Sequence, residues 1–246
     1  MDTAESLLSR IRVLRDAPAH ELERVFDRLI RKRLAPKEYA LVQDDRGDQV
    51  FFVLSGTLAV ILYSPEGKEV FYREFHAGET FGDYSAIDGG TRAASIRAIT
   101  EAEVVSLPAE DFLALLERCP EVATEEMRQL VRAIRTLTQR VYELSVLASD
   151  ARLRAELIRL ADKDPENPNT LSIARMPTQA QLAARVGTQR EAISRHLVAL
   201  ERAGLLVREG RHARIPDAAA FTQSVADPLP LPPVEGKPDD LPDEIA

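Results

Sequence analysis

Residues 178–206 read TQAQLAARVGTQREAISRHLVALERAGLL, and the periodicity of this stretch decides the C-terminal fold. Ala180, Leu182, Ala183 and Val186 recur at near-helical spacing, and Gly187 supplies the positive φ that lets the chain reverse direction within a few residues. Beyond it, Ile193, Leu197 and Leu200 form an i, i+4, i+7 stripe that can be buried, while Arg190, Glu191, Ser194 and Arg195 lie off that stripe and face outward. A guanidinium fork matches guanine O6 and N7 in the major groove, and a carboxylate accepts from the cytosine amino group. An Arg/Glu cluster is more often a solvated helix face. Three features weigh against that: the Thr178 cap, the spacing of the Gly187 turn, and Arg208, Arg211, His212 and Arg214 around Gly210, which read as a β-wing. The expectation is a winged helix-turn-helix that binds double-stranded DNA, with Thr178, Gln179, Thr188, Gln189, Arg190, Glu191, Ser194, Arg195 and Arg211 as candidate contacts.

A formal net charge of −8 argues superficially against a nucleic-acid partner. Its distribution reverses the impression. Beyond Thr222, Asp227, Glu235, Asp239, Asp240, Asp243 and Glu244 face only Lys237, so most of the excess sits at the C-terminal end. Between Arg190 and Arg214, Arg190, Arg195, Arg202, Arg208, Arg211 and Arg214 outnumber Glu191, Glu201 and Glu209, which places positive potential where DNA contact is expected. The single cysteine, Cys119, cannot form an intramolecular disulfide or supply the ligand set of an iron–sulfur cluster, and it suits a reducing cytoplasm. The first residues, MDTAESLLSRIRV, lack a charged region followed by an apolar run, and no stretch is apolar for the ~18 residues a membrane span needs. A soluble, cytoplasmic protein without a membrane partner is expected.

At 246 residues the chain is long enough for two cores. Residues 5–34 read as short helices, with Leu7, Leu8, Ile11, Leu14, Leu22, Val25, Phe26, Leu29 and Ile30 at helical spacing. From Glu38 to Leu107 the runs VFFVL, TLAVILY, EVFYREF and ASIRAI are separated by Gly-bearing turns, which suggests a small antiparallel barrel or sandwich. The period then becomes helical again. Met127, Leu130, Ile134, Leu137, Val141, Leu144 and Ala148 fall at alternating steps of three and four, an a/d seam with Arg128, Arg132, Arg135 and Arg140 off it. That pattern favours a two-helix coiled coil between copies of the chain, with Met127, Leu130, Ile134, Leu137, Val141 and Leu144 at the dimer interface. A helix lying on its own domain's core is the alternative. Another helical stretch, ARLRAELIRLAD, precedes the helix-turn-helix, and after Ile215 prolines alternate with acidic residues in a segment too poor in apolar surface to offset ordering entropy. The expected division is 1–120, 121–149, 150–216 and a disordered acidic tail over 217–246.

Within residues 78–98, GETFGDYSAIDGGTRAASIRA, a glycine turn, an acid, a short helix-capable run and one arginine precede a strand. Gly82 lets the backbone amides of Asp83, Tyr84 and Ser85 approach a ligand, and Arg92 can engage phosphate oxygens bidentately while Asp83 accepts from a sugar hydroxyl. Alone, such a segment is more often an ordinary hairpin carrying a surface charge.

The order of β-rich segment, heptad helix and winged helix-turn-helix resembles the Crp/Fnr family of bacterial transcription regulators over residues 10–216. FGDYSAIDGGTRAAS resembles that family's phosphate-binding cassette, which implies that Asp83 holds the ribose 2′-hydroxyl and Arg92 the cyclic phosphate. VGTQREAISRHLVALERAGLL resembles its recognition helix, which implies that Arg190, Glu191 and Arg195 read a TGTGA-type half-site. The implied fold is α+β: an N-terminal antiparallel β-roll of the cyclic-nucleotide-binding jelly-roll type, a long dimerisation helix and a C-terminal winged helix-turn-helix. Two departures stand out. The cassette acid is usually Glu but is Asp83 here, and the usual Ser or Thr after the arginine is Ala93. The resulting RAA resembles cassettes of kinase regulatory subunits that prefer cAMP, so cAMP is the favoured effector over cGMP. The resemblance also implies that Leu137 and Thr138 of the dimer helix reach the base, that the protein is a homodimer, and that RNA polymerase is a partner.

Competing readings are a cGMP-responsive or effector-independent DNA binder, and a cyclic-nucleotide-binding interaction module whose C-terminal helices dock protein. Haem or redox sensing has only His76 and Cys119 as isolated candidates, and no metal site is read. His20, His76, His196 and His212 are scattered and no nucleophile and base share a motif, so an enzyme is not expected.

Overall fold

Strand β3, Gln49–Ser55, alternates its apolar side chains between two cores, and the N-terminal architecture follows from that alternation. In the computed structural model, which describes residues 7–63, 69–164 and 167–223, Val50 and Phe52 join one buried cluster while Phe51 and Val53 join another. Successive strand side chains point to opposite faces, so a continuous apolar run such as VFFVL belongs to a strand covered on both sides.

β3 lies in a four-stranded antiparallel sheet of order β1-β8-β3-β6, built with β1 (Ile30–Leu34), β8 (Ala102–Pro108) and β6 (Thr80–Phe81). A second sheet, of order β2-β7-β4-β5, is built from β2 (Tyr39–Leu41), β7 (Ser95–Ala98), β4 (Leu58–Tyr63) and β5 (Glu69–Phe75). Leu34, Phe51, Val53 and Val104 of the first sheet meet Leu58, Val60, Phe75 and Ile96 of the second in a common core. Helices cover the outer face of the first sheet: α1 (Ala19–Phe26) contributes Leu22 and Val25, and α3 (Ala109–Arg118) contributes Phe112 and Leu115, against Val50, Phe52, Val105 and Leu107. Cys119 is buried in this cluster, and burial pushes its thiol above the ordinary value. Between β6 and β7 stands the short α2, Asp83–Asp88.

The expected helical lead-in over 5–34 needs correcting at its end. Ile30–Leu34 is a strand, paired Ile30 to Ser106 through Leu34 to Ala102. Four of its five residues are exposed and three are basic, so the edge strand carries no period-2 apolar signal for a sequence reading to detect.

α4 runs from Pro120 to Val146, and the chain divides into two compact units within it, between Leu130 and Val131. In the second unit α5 (Ser149–Arg159), α6 (Gln179–Val186) and α7 (Arg190–Arg202) pack around Leu153, Leu157, Leu182, Val186, Ile193 and Leu197. Ala180 is exposed and takes no part in that core. A small antiparallel sheet of order β11-β12-β10-β9 completes the unit, with β9 (Asp162–Lys163), β10 (Leu171–Ile173), β11 (Val207–Glu209) and β12 (His212–Ile215). β11 and β12 form the wing hairpin, turning at Gly210 with φ +64°.

The expected tail boundary at 217 also moves. Ala218–Gln223 forms α8, whose Phe221 is fully buried in the second core and whose start is capped by Asp217, which accepts the Ala220 N–H at 2.9 Å. The rest of the expected tail lies outside the described residues. No described helix is long and apolar enough to cross a membrane.

Candidate functional site

In the first unit, β6 delivers the chain to Gly82, whose φ of +79° turns it into α2. Arg92, in the loop before β7, is held by its own backbone: its N–H donates to Asp45 O at 2.8 Å and its carbonyl accepts the Asp44 N–H at 2.9 Å. Its side chain is 5% exposed. Nη1 donates to Gly82 O at 2.9 Å and to Ser85 Oγ at 2.7 Å, and Nη2 donates to Gln49 O at 2.7 Å. All three acceptors are uncharged. Burial draws the guanidinium below its ordinary value, against which the charges of Asp48, Asp83 and Asp45 act.

Two glycines make room for this arginine. A Cβ at Gly47 would lie 2.5 Å from Arg92 Cζ, and one at Gly82 would lie 2.7 Å from Nη1. Gly47 and the Gln49 carbonyl escaped the sequence reading because a backbone acceptor has no sequence signature and Gly47 stands well outside the cassette motif. Ser85 is buried, Tyr84 is largely exposed, and Ala93 is exposed beside Arg92.

Asp83 differs in part from expectation. Its carboxylate accepts from its own N–H and that of Tyr84, so two of the amides expected to face a ligand are used locally. Burial raises its pKa, which a hydrogen bond with Glu126 of α4, these two amides and the charge of Arg73 partly offset. Glu126 is 2% exposed, and its carboxyl is pushed up to about 9 by burial first, then by the charge of Asp83 and the bond to it, and by the charge of Glu125. Both carboxyls are thus pushed upward, Glu126 the further, which favours one proton held between the two. Sequence reasoning passed over Glu126 because a glutamate in an amphipathic helix reads as a solvated residue.

In the second unit, Thr178 and Gln181 form a reciprocal capping box at the start of α6: the Gln181 N–H donates to Thr178 Oγ1 at 3.2 Å and the Thr178 N–H to Gln181 Oε1 at 2.8 Å. Gly187 ends α6 with φ +68°, and a Cβ there would stand 3.0 Å from Leu144 Cδ2. Arg152 pins the turn from below, donating through Nε to Val186 O at 2.8 Å and through Nη2 to Gly187 O at 3.3 Å. Arg190, Glu191 and Arg195 are exposed on the first turns of α7, with Ser194 half-buried beside them, while Ile193, Leu197 and Leu200 are buried. Gln189 and Arg211 are exposed, and Gln179 and Thr188 are half-buried. Arg208 departs from the expected basic surface, because Nε and Nη2 each donate to Glu201 of α7 at 2.7 Å and its charge is neutralised there.

Along α4, Met127, Ile134, Leu137, Val141 and Leu144 are each 45–62% exposed, and Leu130 is half-buried. Leu137 and Thr138 belong to the second unit, where the Thr138 hydroxyl donates to Ile134 O at 3.0 Å. The opposite side of the helix is anchored in charge: buried Glu143 accepts from Arg159 at 2.7 and 3.1 Å, and Arg159 and Arg185 also bond buried Glu156.

A family model described as a cyclic nucleotide-binding domain matches residues 31–119, and one described as a Crp-like helix-turn-helix domain matches residues 151–223. The chain is 31% identical over 176 residues to the cyclic AMP receptor protein of Thermus thermophilus, covering 71% of this chain and 79% of the relative. Among solved structures, a mutant of CooA from Carboxydothermus hydrogenoformans superposes with TM-score 0.73 at 19% identity, over 89% of this chain and 95% of the other. The c-di-GMP responsive global regulator CLP of Xanthomonas campestris superposes with TM-score 0.69 at 24% identity, over 80% of this chain and 99% of the other.

Proposed function

Given that this chain belongs to the Crp/Fnr family of transcription regulators, we propose that it is a cytoplasmic homodimer whose affinity for a palindromic TGTGA-like DNA site is raised by cAMP. The observation that carries the effector part is Arg92: a buried guanidinium, in a cradle that only glycine at 47 and 82 permits, whose hydrogen bonds all go to uncharged acceptors. Burying a cation is costly unless an anion balances it, and a cyclic phosphate carries one negative charge on oxygens suited to a guanidinium fork. Asp83 takes the sugar hydroxyl. Ala93 offers no hydroxyl to a guanine amino group, which favours adenine over guanine.

The exposed stripe on α4 supports the dimer. Five large apolar side chains at heptad spacing stand in solvent within a single chain, and a second copy of the same helix supplies the surface that buries them. A two-fold pair of α7 helices matches a two-fold DNA site, and Arg190, Glu191 and Arg195 read the base edges of each half. RNA polymerase is the partner through which DNA binding acts on transcription.

The structural likeness to a c-di-GMP responsive regulator favours a second reading, in which the same pocket takes a cyclic dinucleotide. Calorimetric titration of the purified protein with cAMP, cGMP and c-di-GMP separates the two. Saturable binding of cAMP, with cGMP weaker, supports the first; binding of c-di-GMP alone overturns it.

A further inference from the structure

We propose that Glu126 is a second sugar-recognising residue of the nucleotide pocket, a proton-bearing partner to Asp83 that donates a hydrogen bond to the ribose 2′-hydroxyl oxygen while Asp83 accepts that hydroxyl's proton. This rests on the reading of Asp83 and Arg92 as a cyclic-nucleotide cassette.

Glu126 is 2% exposed, and among the described residues neither of its oxygens has an N–H or hydroxyl partner; its contact is the Asp83 carboxyl. A buried carboxyl whose one partner is a second carboxyl is a cost the fold carries, and such groups concentrate where a ligand completes them. Gln129, one helical turn on and on the same face of α4, likewise has a buried Nε2 without a partner among the described residues. A hydroxyl both donates and accepts, whereas two ionised carboxylates can only accept. With one proton on the pair, a sugar hydroxyl seated between the two carboxyls donates to Asp83 and accepts from Glu126, in place of the bond they share with each other. The shorter Asp83 in place of the family's usual Glu is then matched by a carboxyl brought from α4.

The groups facing this pair are consistent with one retained proton. Arg73 of β5 and Arg92 act on Asp83, which favours its ionised form, while Glu125 beside Glu126 and Asp83 itself oppose ionisation of Glu126; Asp45 and Asp48 act on Arg92. Arg73 is itself paired with Glu79 at 2.8 Å. The net effect is to keep one proton on the pair, with the Glu126 carboxyl pushed up to about 9. Since Met127, the first residue of the exposed stripe, is adjacent, the sugar contact falls at the start of the proposed dimer helix.

The test compares cAMP with 2′-deoxy-cAMP, by calorimetry, on the full chain and on Glu126→Ala and Glu126→Gln. Wild type discriminates between the two nucleotides. Glu126→Ala reduces that ratio about threefold to tenfold, the value of one hydrogen bond, and Glu126→Gln, which keeps a donor, restores most of it. In wild type, cAMP affinity also falls between about pH 7 and about pH 10, and in Glu126→Gln it does not. Should Glu126→Ala fail to fold, the pH comparison of wild type with Glu126→Gln decides alone. A ratio unmoved in Glu126→Ala, or parallel pH profiles in wild type and Glu126→Gln, overturns the role of Glu126 and leaves the cassette standing. Absence of cyclic-nucleotide binding to wild type overturns both.

Discussion

Arg92 brings a positive charge into the interior, where it bonds two backbone carbonyls and a hydroxyl. Those bonds aim the guanidinium; they do not neutralise it. Arg92→Leu therefore abolishes cAMP binding in a calorimetric titration, and it also costs about 1–3 kcal/mol of stability because the Gly82 and Gln49 carbonyls lose their donor. cAMP affinity equal to wild type in this variant would refute the pocket. Glu126 yields a prediction of its own, independent of any ligand. Its pKa rises from 4.5 in the unfolded chain to about 9 in the fold, so between these values the folded protein holds a proton that the unfolded chain releases. Stability from this source is full below about pH 4.5 and falls as pH rises towards about 9. Urea denaturation at about pH 5.5 and about pH 8.5 should show Glu126→Gln gaining on wild type at the higher pH, since the amide does not titrate. Equal differences at both values would contradict the retained proton.

At the scale of elements, α4 and α7 divide their surfaces between structure and recognition. α7 buries Ile193, Leu197 and Leu200 and leaves Arg190, Glu191 and Arg195 in solvent, so Arg195→Ala removes the proposed base contact without disturbing the core. It should cost about 1–3 kcal/mol on the preferred site and relax specificity at one base pair, measured by fluorescence anisotropy across single-base variants of the site. A uniform loss across all variants would mark Arg195 as a phosphate contact instead. On α4, Ile134 and Val141 are about 60% exposed, and charge placed there has no core to disrupt within the chain. The double variant Ile134→Asp/Val141→Asp should sediment as a folded monomer while wild type sediments as a dimer; a variant that remains dimeric places the interface elsewhere. These elements were legible because their signals are local: the stripe of α7, the heptad spacing of α4, and the Gly187 turn are all set within a few residues. β1 was not. Ile30 extends the apolar spacing of the preceding helix, and only pairing with β8, far along the chain, makes Ile30–Leu34 a strand. α8 was missed for a related reason, since one buried Phe221 in a run of small residues is no periodic signal.

Across the whole molecule, the two ends of the proposed switch differ in how far sequence exposes them. Gly82, Asp83 and Arg92 stand close together in the chain and were readable as a cassette, but the groups that hold it, and the one proposed to complete it, come from elsewhere: Gly47 from just before β3, Gln49 from its first position, and Glu126 from α4. A pocket assembled from distant backbone carbonyls and a buried acid has no linear motif. The charge balance has the same character. An overall −8 conceals arginines gathered around α7 and the wing, and Arg208 is removed from that group by its pairing with Glu201. For a regulator of this kind, effector and DNA affinities are linked by a coupling free energy of about 1–3 kcal/mol, which corresponds to roughly fivefold to 150-fold in affinity. That coupling is the central claim, and an electrophoretic-shift titration of a TGTGA palindrome with the purified protein, with and without saturating cAMP at fixed salt, tests it most directly. The account predicts at least about fivefold tighter DNA binding with cAMP, lost in Arg92→Leu; identical titration curves with and without the nucleotide would contradict it.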